Sequence, residues 1–245
     1  MHVSLLARFR ELLTSPLVSW SPPSCMGDVL NNAVASSADE PGGLVSLATS
    51  PVRLKPTPRT TNGGLVSSMV ALQVAPTDAL SPPLLAHIRA LLDTAFEGNF
   101  TDEDWAHALG GIHVWLADSR GLISHGSLVE RTLVCSDRSL LVGYVEAIAT
   151  DPAQQRRGYG TMVMKRMGEL IRKRYALGAL STGAHAFYEA LGWERWRGPT
   201  FVDGPVGRQR TADDDGGVMI LRTAATPLLE LDGEIMCDWR RGDVW

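Results

Sequence analysis

The pattern of hydrophobic and polar positions divides the chain near Met69. Residues 1–68 show no sustained helical or strand period, and they contain half of the fourteen prolines together with many serines. Such a segment buries too little apolar surface to offset the entropy of ordering it. We therefore predict a disordered extension over 1–68 and one folded domain over 69–245. An Arg-bearing presequence, or translation from a start upstream of the native one, would also explain the extension.

From Met69 onward, strand and helix periods alternate. Thr101, followed three residues later by Asp104, is typical of a capping box at a helix start. The predicted elements in order are a strand over 70–74, a helix over 82–96, a helix from Thr101 ended by glycines at 110–111, an antiparallel meander over 112–117, 121–134 and 140–150, a helix over 158–175, a strand over 177–181, a helix over 184–191 and a strand over 217–222. Helices at both ends of a mixed sheet predict an α/β or α+β fold.

Composition excludes several classes of function. No apolar run approaches the length of a membrane span, and the net charge of −4 argues against a nucleic-acid partner. Three widely spaced cysteines indicate neither a disulfide framework nor a metal site, which favours the reducing cytoplasm. Cys135 and Cys237 have no neighbouring histidine to activate a thiolate. His107 and His113, on a helix and the following strand, are poorly placed for a metal, so we predict none.

One loop has the composition of an anion site. The strand over 140–150 leads into Gln155-x-x-Gly158-x-Gly160 at a helix start. Glycines allow close backbone approach, and the free amides of a helix N-terminus favour a phosphate. Arg156 and Arg157 add positive charge at the rim. The loop is neither a dinucleotide fingerprint nor a P-loop, so by itself it remains a weak indication.

Acidic and aromatic residues supply the other candidates. Glu146 lies in an apolar strand, where a carboxylate is costly without a purpose or a partner. The tail 234–245 holds two indoles and the carboxylates of Asp238 and Asp243 close to the final carboxylate, and we expect it to form part of a site. Taken alone, 213–215 would be a solvated loop. Core packing alone would also explain Tyr188 and the two tail tryptophans.

Together these motifs resemble a known superfamily. The loop 155–160 resembles motif A of the Gcn5-related N-acetyltransferases (GNATs), which binds the pyrophosphate of acetyl-CoA, and the Ala-Phe-Tyr-Glu-Ala-Leu-Gly-Trp of 186–193 resembles a later motif. Further segments are similar to the aminoglycoside 2′-N-acetyltransferases of actinobacteria. They are Gly-Asn-Phe-Thr-Asp-Glu-Asp-Trp at 98–105, His-Ala-Leu-Gly-Gly-Ile-His at 107–113, Gly-Tyr-Val-Glu at 143–146, Leu-Gly-Ala-Leu-Ser at 177–181, Asp-Asp-Asp-Gly at 213–216 and Met-Cys-Asp-Trp-Arg-Arg-Gly-Asp-Val-Trp at 236–245.

The resemblance covers 69–245 and implies a GNAT fold, acetyl-CoA as cosubstrate, an aminoglycoside as acceptor, antibiotic resistance and a homodimer. It implies that Glu146 is the base, acting through water, and that Tyr188 is the acid. The implied acetyl-CoA contacts are Ile148, Ala149, Thr150, Gln155, Arg156, Arg157, Gly158, Tyr159 and Gly160. The implied acceptor contacts are Asn99, Asp104, Glu146, Ala147, Ser181, Asp213, Asp214, Asp243 and Trp245.

Two positions depart from the relative used for comparison, since Asn99 replaces an aspartate and Ala147 replaces a glycine. The first change removes a charge from the expected cleft, and the second adds a methyl group beside the acceptor. Two alternatives stay open from the residues alone. One is acetylation of an endogenous amino sugar, and the other is a non-catalytic module that binds acetyl-CoA or the drug.

Overall fold

The structure is a computed structural model that describes residues 69–245. The extension predicted over 1–68 lies outside the described residues. The strands are β1 (Ala71–Pro76), β2 (Ile112–Asp118), β3 (Gly121–Cys135), β4 (Arg138–Thr150), β5 (Leu177–Ser181), β6 (Glu194–Arg195), β7 (Thr200–Gly204), β8 (Gly207–Arg210), β9 (Val218–Arg222) and β10 (Ile235–Asp238). The helices are α1 (Pro82–Ala95), α2 (Asp102–Ala108), α3 (Tyr159–Arg174) and α4 (His185–Glu189).

Local sequence signals place the helix starts. Ser81 caps α1 by accepting a hydrogen bond from the backbone of Leu84, with prolines in the first turn. The capping box predicted for α2 is confirmed, because Thr101 and Asp104 each accept from the other's backbone nitrogen. The predicted meander is also confirmed as β2, β3 and β4, and β5 has the predicted bounds.

All ten strands of residues 69–245 join one mixed sheet, in the order β6-β9-β5-β4-β3-β10-β7-β8, with β2 and β1 added beside β3. The length of β3 makes this branching possible. Its first half pairs with β2 and its last three residues pair with β10, while β4 runs along its other edge. The sequence patterns did not predict β6, β7, β8 or β10. The first part of the C-terminal tail, Ile235–Asp238, is therefore a strand that lies between β3 and β7.

A gap opens between two parallel strands at the centre of the sheet. β4 and β5 pair only from Val142 to Tyr144 and from Leu177 to Ala179, although both strands continue beyond this ladder. The backbone of β4 from Glu146 onward is still paired with β3 on its other edge. The strands thus form a wedge whose walls are the ends of β4 and β5.

Side chains pack on both faces of the sheet. On one face, α3 covers a core that includes Leu128, Val145 and Leu180. On the other face, α1 and α2 pack against Trp115 and Ala147, and a separate cluster lies beneath the C-terminal tail. Among residues 69–245, no helix has both the length and the apolar composition of a membrane-spanning segment.

Candidate active site

A β-bulge shapes β4 at the mouth of the wedge. Ser127 opposes Glu146 and His125 opposes Ala149, so Gly126 alone faces the two residues Ala147 and Ile148. Ala147 has φ of 51°, in the left-handed region that favours glycine. A methyl group on Gly126 would lie 2.2 Å from Cδ1 of Ile148, so a larger residue opposite the bulge would force the Ile148 side chain to shift.

Two buried histidines hold the bulge in place. His125 Nδ1 lies 3.1 Å from the carbonyl oxygen of Ala147, which can only accept, so this nitrogen carries the proton. His125 Nε2 then accepts from His113 Nδ1 at 2.9 Å. The other nitrogen of His113 lies 2.9 Å from the hydroxyl of Thr77. Burial lowers the pKa of His113 to about 4, and burial together with His113 lowers that of His125 to about 3. Both rings are therefore neutral near pH 7. A neutral ring has one donor and one acceptor nitrogen, as the hydrogen bonds from His113 to His125 and from His125 to Ala147 require.

Glu146 does have a partner, on the C-terminal tail. Arg240 donates from Nη1 to a carboxylate oxygen of Glu146, and both side chains are only 14% exposed. Arg240 also donates from Nε to the carbonyl oxygen of Asp243 at 2.8 Å, and its guanidinium lies over the ring of Tyr144, 5.6 Å from the centroid. The carboxylate on the apolar strand is thus compensated by a cation from a distant part of the chain.

A second arginine fixes the tail that carries Arg240. Arg131 on β3 is 5% exposed. It donates to the side chain and the backbone carbonyl of Asp238 at 3.0 and 2.7 Å, and to the carbonyl of Val244 at 2.8 Å. Both ends of the segment 238–244 are therefore tied to the same strand. Trp245 is buried and donates from its indole to the hydroxyl of Thr211 at 3.0 Å.

Three buried hydroxyls share the sheet face of Glu146. Ser127 lies directly opposite Glu146, and Tyr144 precedes it by two residues on the same strand. Ser181 follows Ala179, the partner of Tyr144, by two residues. None of the three hydroxyl oxygens has a hydrogen-bond partner within residues 69–245. Buried polar atoms are seldom left unsatisfied, so this face is suited to a polar ligand.

The N-terminus of α3 lies just beyond the end of β4. Gly158, with φ of 81°, is its N-cap, and the preceding loop 155–157 is exposed. The cap makes no side-chain hydrogen bond to the helix, which leaves the first amides of α3 for an anion. A side chain on Gly160 would approach Thr150 Oγ1 to 3.3 Å, so glycine keeps this approach open.

Tyr188 lies on the other side of the wedge, on the short helix α4 after β5. Its ring is 6% exposed and packs edge-on against Trp193. Burial raises the pKa of Tyr188, and a hydrogen bond with Thr182 opposes that shift. The phenol therefore stays protonated and is better suited to donate a hydrogen bond than to give up a proton. Cys135 and Cys237 are buried free thiols, and burial raises the pKa of each to about 12.

Comparison with known proteins assigns the family. A family model described as an acetyltransferase (GNAT) domain matches residues 81–196. A curated relative from Mycolicibacterium fortuitum, named aminoglycoside 2′-N-acetyltransferase, is 44% identical over 161 residues, which cover 64% of this chain and 83% of the relative. The chain belongs to the aminoglycoside 2′-N-acetyltransferase family. The GNAT fold predicted from the resemblance is confirmed.

Solved GNAT structures resemble this family member only distantly. A GNAT family N-acetyltransferase from Escherichia coli in complex with CoA aligns with a TM-score of 0.49 at 16% identity, covering 73% of this chain and 93% of that one. A GNAT family acetyltransferase from Brucella melitensis in complex with acetyl-CoA aligns with a TM-score of 0.47 at 12% identity, covering 70% and 97%. These scores are too low to add to the assignment.

The structure brings together some of the candidate residues of this family member. Through Arg240, Glu146 is linked to the tail at Asp243. His107 lies on α2, the helix that also carries Asp104. Burial lowers the pKa of His107, and Arg240 lowers it further, while Glu146 and Asp104 oppose the shift. His107 Nε2 also contacts the carbonyl oxygen of Arg241 at 2.8 Å.

Other candidates lie on loops elsewhere in residues 69–245. Asn99 is exposed in the loop before α2, Asp213 is exposed on a turn, and Asp214 is buried beside it. Asp104 has a structural task as well, because it completes the capping box of α2. The sequence reasoning missed Arg240 and Tyr144. The two-residue spacing from Glu146 could have indicated Tyr144, but no local signal distinguishes Arg240 from its neighbour Arg241.

Proposed function

We propose that the protein transfers the acetyl group of acetyl-CoA to the 2′-amine of an aminoglycoside by direct attack within a ternary complex. The observation that carries this proposal is the wedge between β4 and β5. Glu146 lies on the β4 wall, on a sheet face with three unsatisfied hydroxyls from β3, β4 and β5. The helix α3 starts just beyond the β4 wall, and Tyr188 follows the β5 wall. Membership of the family supplies the substrate class.

The wedge suits an extended amide-bearing thioester. Beyond Tyr144, the edge of β4 that faces β5 has left the ladder, so the backbone of Ile148, Ala149 and Thr150 can pair with amides of a ligand as a strand would. The pyrophosphate would then lie at the loop 155–160, against the free amides at the start of α3 and beside Arg156 and Arg157. Acetyl-CoA has both of these groups in one molecule.

The opposite side of Glu146 suits a polycationic sugar. Carboxylates at Glu146, Asp243 and Asp104 attract ammonium groups, although each exposed contact contributes only about 1 kcal/mol. The hydroxyls of Ser127 and Ser181 can satisfy sugar hydroxyls. The acceptor contacts implied by the resemblance are part of this proposal, including those at Asn99, Ala147, Asp213, Asp214 and Trp245, and they remain predictions.

In the chemical step, the neutral amine attacks the thioester carbonyl, the carbon–sulfur bond breaks, and the amine proton passes through water to Glu146. Tyr188 donates a hydrogen bond to the departing sulfur. The high pKa of this buried phenol argues against complete proton transfer from it. Holding amine and thioester in contact supplies much of the acceleration, of the order of several kcal/mol.

Thiol release with single variants tests these roles. We expect Glu146→Gln to lower kcat by about 100-fold or more, as general-base loss does, and Tyr188→Phe to lower it by roughly tenfold through the lost hydrogen bond. Glu130→Gln on the exposed side of β3 and Tyr175→Phe at the end of α3 are matched controls and should keep the parental rate. Parental turnover in both site variants would contradict the assignment.

A folded unit over 69–245, a cytoplasmic location, a homodimer and antibiotic resistance of the host belong to the same proposal. The buried free thiols of Cys135 and Cys237 agree with a reducing compartment.

A further inference from the structure

Arg240 occupies an unexpected place in an acidic cleft. Its guanidinium contacts the carboxylate of Glu146, its Nε donates to the carbonyl of Asp243, and its plane lies over Tyr144. At 14% exposure it is a largely buried cation among the very groups assigned to a cationic acceptor. A site built only to attract ammonium groups has no need of it.

The protonation state of the acceptor amine suggests a role for the Arg240 cation. An alkylamine is mostly protonated near pH 7, but only the neutral form attacks a thioester. A nearby carboxylate stabilises the ammonium form, and a nearby fixed cation destabilises it. The guanidinium keeps its charge at any working pH. Arg240 therefore offsets the very effect by which Glu146 would hold the proton on the amine.

The other charged or titratable groups around Arg240 do not perform this task. They are His107 and Asp104 on α2, Tyr144 on β4, Arg131 on β3, Cys237 and Asp238 on β10 and Asp243 on the tail. Burial raises the pKa of Cys237 to about 12, so its thiol carries no charge. Arg131 is committed to Asp238 and to tail carbonyls. Burial and Arg240 lower the pKa of His107, so it is neutral near pH 7. Arg240 is thus the cation that faces Glu146.

We propose that Arg240 is a positioning residue that fixes the Glu146 carboxylate and lowers the fraction of bound acceptor amine that is protonated, at a cost in affinity for the cation. This inference rests on the proposed function. The ammonium loses one proton to bulk water as the acceptor binds, and the neutral nitrogen then attacks. Arg240 keeps its own proton throughout.

Steady-state kinetics across pH 6 to 9 tests this, with tobramycin as acceptor and saturating acetyl-CoA. We expect Arg240→Gln to lower KM for tobramycin several-fold and kcat at pH 7 by about tenfold. The pH at which kcat rises should increase by about one unit in Arg240→Gln, since one pH unit corresponds to a tenfold change in the neutral fraction of the amine. The deficit should therefore close near pH 9. Arg240→Lys keeps the charge but loses the paired donors, so it should keep the parental pH dependence of kcat even where the rate itself falls.

Arg241→Gln is the matched control, because it removes the same charge one residue away. That side chain is 85% exposed and lies 3.8 Å from Glu103 rather than near Glu146. The pH profile of kcat for Arg241→Gln should coincide with that of the parent. A fall in kcat of equal size at every pH would show a merely structural role for Arg240. A rise in kcat at pH 7 would show that Arg240 blocks the acceptor. Either result would overturn the proposal.

Calorimetry gives a readout that needs no turnover. Tobramycin binding measured in buffers of different ionisation enthalpy reports the protons released, and we expect the parent to release more at pH 7 than Arg240→Gln. Equal release would overturn the role of Arg240 even in an active enzyme. Proton release by a parent that frees no thiol would instead contradict the proposed function and leave the role of Arg240 standing.

Discussion

Mild acid should destabilise the fold through the His113–His125 pair. Both rings are fully buried, and their nitrogens meet at 2.9 Å. Burial lowers the pKa of His113 to about 4, and burial with His113 lowers that of His125 to about 3. An unfolded histidine titrates near 6.5. The perturbation is a decrease in pH from 7 to 5, a range in which the folded rings stay neutral.

The sign follows from proton binding. Because both pKa values are lower in the folded state, the unfolded chain binds more protons below about pH 6.5, and stability is lost as pH falls from there towards 4. At pH 5 an unfolded histidine is almost fully protonated, whereas either folded ring is almost neutral. Each ring then shifts the equilibrium towards unfolding by about 2 kcal/mol, or about 4 kcal/mol for the pair.

Urea unfolding followed by tryptophan fluorescence at pH 7 and pH 5 measures this loss. His113→Gln removes one titrating ring and keeps a polar group towards Thr77. It should be less stable than the parent at pH 7, but its loss between pH 7 and pH 5 should be smaller by about 2 kcal/mol. His87→Gln removes an exposed ring from α1 and should match the parental loss. An unchanged loss in His113→Gln would refute the reasoning.

Three further substitutions follow from the packing around the site. Gly126→Ala should destabilise the protein by about 1–3 kcal/mol in urea unfolding, because its methyl group would overlap Ile148; no measurable loss would contradict the bulge geometry. Ala147→Gly should stabilise it by about 0.5–1 kcal/mol in the same assay, since φ of 51° is strained for alanine, and a loss of stability would be the contrary result. Arg131→Met should lower the free energy of unfolding by about 2 kcal/mol, because it releases the tail at Asp238. It should also raise KM for the aminoglycoside but not for acetyl-CoA, and equal changes in both KM values would count against this.

Much of the fold follows from local signals. The capping box at Thr101 and Asp104, the meander and the bounds of β5 depend on residues close together in the chain, and each was predicted. β10 could not be predicted in this way. It has only four residues, and its partners on β3 and β7 lie about 100 and 35 positions away. Pairing of that kind leaves no period in the sequence.

The candidate site shows the same limit. The resemblance singled out Ala147 as a departure from glycine, and the structure supplies the reason glycine suits the position, a left-handed backbone at the bulge. From the sequence alone, His113 is considered only together with His107, as a poor metal ligand. Its partner His125 lies twelve residues away on the next strand, so no local pattern indicated the pair. Arg240 and Arg241 are chemically identical neighbours. Only the path of the tail turns the first towards Glu146 and leaves the second exposed.

The central claim is acetyl transfer to the 2′-amine, and free-thiol release from acetyl-CoA tests it most directly. Tobramycin, gentamicin and kanamycin B carry that amine, whereas kanamycin A carries a hydroxyl at the same position. We predict thiol release with the first three acceptors and none with kanamycin A. Release with all four would place the acceptor amine elsewhere on the drug, and release with none would contradict the proposed function.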